Sequence, residues 1–388
     1  MALASSGSSL GTSLGTPGAA QRATRIGFFI AGFAMAAWAP LVPFAKARLG
    51  ASDGVLGLLL LGLGLGSILA MPLAGAAAAR FGCRSVIGTG TVFACLTLPL
   101  LATLDDPVAL VAALAAFGAA IGALDVAINI QAIIVERASG RPMMSGFHGM
   151  FSLGGIIGAA GMTALLGAGA SPLVATLGVA AGALAALAWA APNLLPEGSR
   201  NDGPAFALPH GVVLFIGVLC CIGFLAEGAV LDWGAVFLTA ERGVDAAHAG
   251  LGYAAFSATM TLGRLGGDRI VGRLGGTAVI VGGGVLAAAG FALAVVVPAW
   301  EAALAGYALV GAGCSNIVPV LFTAIGRQRV MPERLAVPAV ITLGYAGILA
   351  GPAAIGFIAQ AAGLPAALLL VAVLLLGVAA GGARLRVG

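Results

Sequence analysis

The run VALVAALAAFGAAIGALDVAINIQAIIV, residues 108–135, carries a single charged side chain, Asp125. A hydrocarbon core about 30 Å thick is crossed by a helix of roughly 20 apolar residues. The run therefore reads as a membrane-spanning helix with an acid inside it. A second run, VVLFIGVLCCIGFLAEGAVLDWGAVFL at 212–238, reads the same way and holds Glu227 and Asp232. A carboxylate at mid-bilayer costs roughly 2.5–3.5 kcal/mol on insertion scales, so three cost about 8–10 kcal/mol. That is comparable with the whole stability of a typical domain, about 5–15 kcal/mol. Acids kept at such a cost point to a use: a proton, a cation or a polar solute in transit. Neither run contains a lysine or arginine, and none is read deep in any other run. The three acids are therefore expected to lack a basic partner within the bilayer.

The rest of the chain agrees with a membrane setting. Of its 388 residues, 61% are hydrophobic and 8% charged, where a soluble domain carries about 25% charged residues. The 62 glycines suit helices that approach closely in lipid, where no hydrophobic drive brings them together. The net charge of +4 is scattered through short loops, so no nucleic-acid partner is expected. Cys83, Cys95, Cys220, Cys221 and Cys314 lie in or beside apolar runs without metal-ligand spacing, and are expected to be reduced packing thiols. His148, His210 and His248 fall in three separate regions. With no nucleophile–base pair or ligand cluster inside the bilayer, neither a metal, nor a cofactor, nor enzymatic activity is expected.

Twelve apolar segments can be read, at about 26–46, 54–79, 86–104, 108–135, 144–167, 172–191, 211–239, 247–268, 277–298, 301–326, 336–360 and 364–383. The longest connection, PNLLPEGSRNDGPAFALPH at 192–210, is polar and Pro-rich and lies mid-chain. The expected organisation is a disordered tail at 1–24, a six-helix bundle at 25–191, a cytoplasmic linker at 192–210 and a second six-helix bundle at 211–388. Residues 1–21 lack the basic start and apolar stretch of a secretory signal. With both termini in the cytoplasm, 15 Lys and Arg residues fall inside and only Lys46, Arg48 and Arg242 fall outside. The positive-inside rule asks for this bias.

The halves also repeat. WAPLVPFAKARLGASDGVLG at 38–57 answers WGAVFLTAERGVDAAHAGLG at 233–252, and ARFGCRSVIG at 79–88 answers GRLGGTAVIVG at 272–282. A six-helix unit returns to its starting side, so the repeat is parallel. Two such halves around a central site are a carrier architecture. The fold class expected is all-α and polytopic, with twelve transmembrane helices in two pseudo-symmetric bundles.

The loop Gly75-Ala-Ala-Ala-Ala79-Arg80-Phe-Gly82-Cys83-Arg84 resembles the signature between the second and third helices of the major facilitator superfamily. Gly75, Arg80, Gly82 and Arg84 match, while Ala79 stands where that signature has Asp. The second-half copy keeps Asp268, Arg269 and Arg273. The resemblance implies a latch that holds one access state, made by these seven residues. The stretches GALDVAINIQ (122–131), FHGMFSLGG (147–155), FLAEGAVLDW (224–233) and GAGCSNIVP (311–319) resemble the fucose-permease-like branch. In that branch an acid in the fourth helix, followed four residues on by Asn, is implicated in proton coupling. Asp125 and Asn129 occupy those positions, and no acid lies between Arg25 and Lys46 to supply the branch's first-helix acid.

Asp125 and Asn129 are one helical turn apart on one face. An Asn amide donates to an ionised acid and accepts from a protonated one. The pair reads either as a proton-coupling device or as a protonated acid tied between helices. Glu227 sits near mid-segment, on a helix that lines the cavity in the resembled fold, and is a candidate both for coupling and for solute contact. Asp232 is five residues on, about 140° round the helix, so the two cannot face one point equally, and it is a candidate for a minor role in the cavity. Its alternative is an interfacial acid bonded to a neighbouring helix end. Trp38, Trp233 and Asn316 are candidate solute contacts, since aromatic faces stack on sugars or embrace cations and an amide bonds hydroxyls. Interfacial Trp is also ordinary in membrane proteins. His148 is a candidate relay or a packing residue.

Without an internal basic residue, the partner of these acids must be a proton or the solute. This weights the cargo toward neutral polar or cationic molecules and away from anions. The expected function is proton-coupled uptake of a sugar, polyol or amino-sugar by a monomer in the cell inner membrane. The alternatives are efflux of small amphipathic cations by proton antiport and, more remotely, a membrane receptor.

Overall fold

The computed structural model describes residues 17–50, 53–196, 207–244, 248 and 250–385. Among these the secondary structure is helical throughout. In chain order the helices are α1 (Pro17–Ala36), α2 (Val42–Leu49), α3 (Asp53–Phe81), α4 (Cys83–Thr103), α5 (Pro107–Ser139), α6 (Met144–Gly167) and α7 (Pro172–Ala190). The second half holds α8 (Gly211–Arg242), α9 (Leu251–Leu274), α10 (Gly276–Val296), α11 (Trp300–Cys314), α12 (Ile317–Arg327), α13 (Glu333–Ala362) and α14 (Leu364–Arg384). A short 3-10 turn at Ala39–Leu41 joins α1 to α2, which make one pass together, and α11 and α12 make another. Twelve passes result among the described residues. Eleven are long and apolar enough to cross a membrane by length and composition. The twelfth, α9, is 24 residues long but carries Arg264, Asp268, Arg269 and Arg273.

α1 begins at Pro17, so residues 17–24, which the sequence places in a disordered tail, are helical. Residues 1–16 lie outside the described residues, as do 197–206 of the linker. The first part of the linker is docked. Arg84 donates from Nε to Leu194 O at 2.9 Å and from Nη2 to Pro192 O at 2.8 Å, and its backbone N–H donates to Leu195 O at 2.8 Å.

Local chemistry starts the helices where the turns predict. Asp106 caps α5 by accepting from Ala109 N at 2.7 Å, with Pro107 at the first helical position. Ser171 does the same for α7 ahead of Pro172. Gly82 and Gly275 have φ of 84° and 79° at the tight turns opening α4 and α10, a conformation that side chains disfavour.

The repeat extends to individual bonds. Arg48 donates to Leu101 O, Ala102 O and Leu104 O at the end of α4. Arg242 donates to Ala294 O and Val295 O at the end of α10. The paired Arg of the sequence repeat thus satisfies the open carbonyls of a helix C-terminus in each half. Ser67 on α3 donates to Gly118 O on α5 at 2.8 Å, and Thr259 on α9 donates to Ala308 O on α11 at 2.8 Å. α3 and α5 touch backbone to backbone: a Cβ at Gly118 or Gly66 would collide with the main chain of Leu63 or Ala115.

Helix pairing follows the same symmetry. α1 packs on α6 as α8 packs on α13, and α4 packs on α5 as α10 packs on α11. The halves meet along α3–α13 and α6–α9, with α12 against α5 and α6. Close contacts across this seam gather toward the end where α3 finishes and α6 and α13 begin, hereafter the arginine-rich end. There Gly75 faces Arg334 O and Pro338, Arg137 pairs with Glu333 and donates to Gly326 O, and Thr323 donates to Glu136 at 2.7 Å.

Candidate transport site

Two polar clusters lie at the seam. The first is on α5. Asn129 Nδ2 donates to Asp125 Oδ1 at 3.1 Å and to Asp125 O at 2.9 Å. Asn129 is buried, and its Oδ1 has no hydrogen-bond partner. Asp125 is half-buried. Tyr345, on α13 of the other half, lies within electrostatic reach of Asp125, with the Phe224 ring edge-on to it at 6.4 Å. The amide serves the carboxyl in either protonation state, donating to the anion or accepting from the acid. The arrangement suits a carboxyl that gains and loses a proton at the boundary between the halves.

The second cluster is centred on Arg264 of α9, which is 7% exposed. Its Nη2 donates to Glu227 Oε1 of α8 at 3.0 Å and its Nη1 to Ser152 Oγ of α6 at 3.0 Å. Its Nε donates to Ser315 O at 3.3 Å. That carbonyl is available for a local reason. Pro319 has no N–H, so the carbonyl four residues before it has no helical donor. The chain steps out of helix at Ser315 and Asn316, between α11 and α12. Asn316 is buried, and its Nδ2 donates to Gly263 O at 3.0 Å and Ser315 Oγ at 2.9 Å.

This geometry corrects the expectation that no basic side chain lies deep in a span. The sequence ends the eighth segment near residue 268 and leaves Arg264 at a cytoplasmic helix end. The helix instead runs to Leu274, which puts Arg264 about 15 Å inside it. Asp268, Arg269 and Arg273 make its last turns look like a loop in sequence. Glu227 therefore has a basic partner, and the argument against anionic cargo from three unmatched acids does not stand.

The other expected residues scatter. Trp38 is 6% exposed and packs in the first half's own core, with Phe117, Leu114 and Met162. Trp233 packs in a different core in the second half, its ring beside Gly356 and its indole N–H without a hydrogen-bond partner. Asp232 is exposed. His148 lies between the Phe28 and Phe322 rings, at 5.1 and 5.7 Å, within electrostatic reach of Arg264. Among the latch residues, Asp268 accepts from Gly146 N across the seam at 2.8 Å and Gly75 abuts α13. Arg80 lies over the Phe81 ring, and Arg269 and Arg273 are exposed. Sequence reasoning missed Arg264, Ser152 and Tyr345. Tyr345 had a signal, as a lone hydroxyl-bearing aromatic ring inside the run AVPAVITLGYAGILAG.

Residues 25–327 match the family model described as Major Facilitator Superfamily. The chain belongs to the major facilitator superfamily. An uncharacterized MFS-type transporter of Yersinia pestis is 56% identical to this major facilitator protein over 366 residues, 94% of this chain and 95% of that one. Membrane protein MosC of Rhizobium meliloti is 33% identical over 348 residues, 89% of this chain and 84% of its own. Among solved structures, the E. coli fucose:proton symporter FucP superposes with a TM-score of 0.78 at 18% identity, covering 94% of this chain and 98% of that one. The human organic anion transporter MFSD10 gives 0.75 at 17% identity, covering 95% and 100%. At these identities the likeness is one of fold. The fold class read from sequence, all-α with two matching bundles, is the one observed.

Proposed function

We propose that this protein is a secondary active carrier that moves a small hydroxyl-bearing polar solute, of the sugar, polyol or amino-sugar class, inward together with a proton. The halves rock about the seam and expose it to each side of the bacterial inner membrane in turn. With Arg264 set aside as a buried residue, the division of basic residues, 14 against 3, still supports cytoplasmic termini, and makes the arginine-rich end the cytoplasmic one. The structure is then a state closed to the cytoplasm, with Asp268–Gly146 and Gly75–Arg334 as parts of its latch.

One observation carries the reading. Asp125 is half-buried at mid-pass, its hydrogen-bond partner is a neutral amide, and Tyr345 of the opposite half lies within its electrostatic reach. A carboxyl bonded only to a neutral amide can take and release a proton without breaking an ion pair, and a buried group feels the change of charge strongly. Glu227 is already balanced by Arg264, so it serves position rather than coupling. Asn129, bonded to Asp125, and Tyr345, within its electrostatic reach, offer hydroxyl-binding groups. Trp38, closed within its core, is assigned to packing.

The test is uptake into proteoliposomes with the lumen alkaline relative to the bath, across a panel of labelled sugars, polyols and amines. The reading expects at least one panel member to accumulate only while the pH gradient stands. Accumulation of a panel solute that persists unchanged when an ionophore collapses the gradient contradicts it.

A further inference from the structure

We infer that Arg264 is a positioning residue of the access change: held in place by Glu227, it fastens the two halves together at mid-depth through Ser152. The inference rests on the alternating-access part of the proposed function and on no assumption about solute or proton.

The bonds of Arg264 divide by half. Glu227 and the Ser315 carbonyl belong to the second half, as does Arg264 itself, whereas Ser152 is on α6 of the first. A guanidinium is a rigid fork of five N–H donors that keeps its charge throughout. Glu227 and Ser315 fix two corners of the fork, and the third is then aimed across the seam. The seam is tight at this level. A Cβ on Gly149 would meet Leu265 N at 3.1 Å and Arg264 C at 3.2 Å, and a Cβ on Gly267 would meet Ser145 Cβ at 2.5 Å.

Two polar rungs therefore cross α6–α9. One is Asp268 to Gly146 N near the arginine-rich end. The other is Arg264 to Ser152, six residues further along α6, or about 9 Å deeper. Opening this end separates α6 from α9 and must break both. The same seam also holds buried polar atoms without hydrogen-bond partners, His148 Nε2 and Asn316 Oδ1. Each is costly while dry and is relieved when water enters. Favourable rungs and unsatisfied polar atoms pull opposite ways, so removing one rung shifts the balance toward opening.

The experiment is hydrogen–deuterium exchange of the full-length protein in lipid nanodiscs, without solute, followed on peptides covering 144–152 and 264–274. Ser152→Ala deletes the cross-seam bond together with the local bond that the hydroxyl donates to His148 O within α6 at 3.3 Å, leaving the bonds of Arg264 inside the second half in place. It is expected to speed exchange in both peptides about tenfold, the ratio that one charge-assisted hydrogen bond corresponds to. Glu227→Gln is expected to do the same by releasing the fork, and Ser152→Ala/Glu227→Gln to be no faster than either alone. The neutral pair Glu227→Gln/Arg264→Gln is expected to open as readily as Ser152→Ala. If Arg264 merely balances the charge of Glu227, Ser152→Ala exchanges like the native protein and the neutral pair restores native exchange. Either result overturns the inference. The readout uses no gradient, so it stands apart from any failure of Asp125 coupling.

Discussion

Replacing Glu227 by Gln leaves Arg264 charged, 9% exposed in its side chain, with a serine hydroxyl, a carbonyl oxygen and a neutral amide but no anion to hold it. An uncompensated buried charge left by removing one partner costs about 3–5 kcal/mol. Glu227 is 18% exposed, so some water reaches the pair and the lower part of that range, about 3 kcal/mol, is expected. Arg264→Gln should cost less, about 1–3 kcal/mol, because the carboxyl left behind can shed its charge by taking up a proton while a guanidinium cannot. The double replacement leaves two neutral amides of similar volume facing one another. Its cost should fall about 2 kcal/mol short of the sum of the singles, which is a coupling typical of residues in direct contact. Equilibrium unfolding in detergent micelles, with all four proteins under one protocol, measures the cycle. Additivity within about 0.5 kcal/mol would refute the pairing, because independent sites add to that precision.

Gly118→Ala places a methyl group against the Leu63 main chain, and should destabilise by about 1–3 kcal/mol in the same unfolding assay, as overpacking does. Gly88→Ala, which meets nothing within 4 Å, should be neutral or slightly stabilising and serves as its control. Arg48→Ala and Arg242→Ala each expose the carbonyls ending α4 or α10, and should lose about 1–3 kcal/mol apiece by the same measure. Unequal losses, with one replacement silent, would contradict the equivalence of the repeats.

The sequence carried the architecture because membrane passes are announced by long apolar runs, and each pass must satisfy its backbone within itself. The fifth segment, read as 144–167, is the helix Met144–Gly167. The Trp-to-Arg repeat turned out to mark matched helix caps at Arg48 and Arg242. Asp125 and Asn129 were legible as a pair because a helix turn fixes which neighbours meet. Arg264 was not, since its partners Glu227 and Ser152 are 37 and 112 residues away. Only the packing of α9 against α6 and α8 brings them together. The charges after it also disguised the last turns of α9 as a loop. The surroundings of Trp38 were not legible for a similar reason: its place in the repeat identifies a helix end, but the direction of its ring, into the first half's core, is set by tertiary packing. The tail was misread at 17–24 because Gly, Ala and Gln there have no apolar periodicity, and the helix is continued by contact with the rest of the bundle. Gln21 shows this contact, donating to Ser139 Oγ at 2.9 Å.

The central claim is that one acid, Asp125, carries the coupled proton. One proton per solute sets a ceiling of about tenfold accumulation for a gradient of about one pH unit at zero membrane potential, because a pH unit is worth about 1.36 kcal/mol. The decisive measurement is the steady-state accumulation ratio in proteoliposomes for the native protein and for Asp125→Asn. The native ratio should approach about ten, and the variant should level off without concentrating solute while still exchanging pre-loaded solute. An Asp125→Asn protein that concentrates solute as the native protein does would contradict the account.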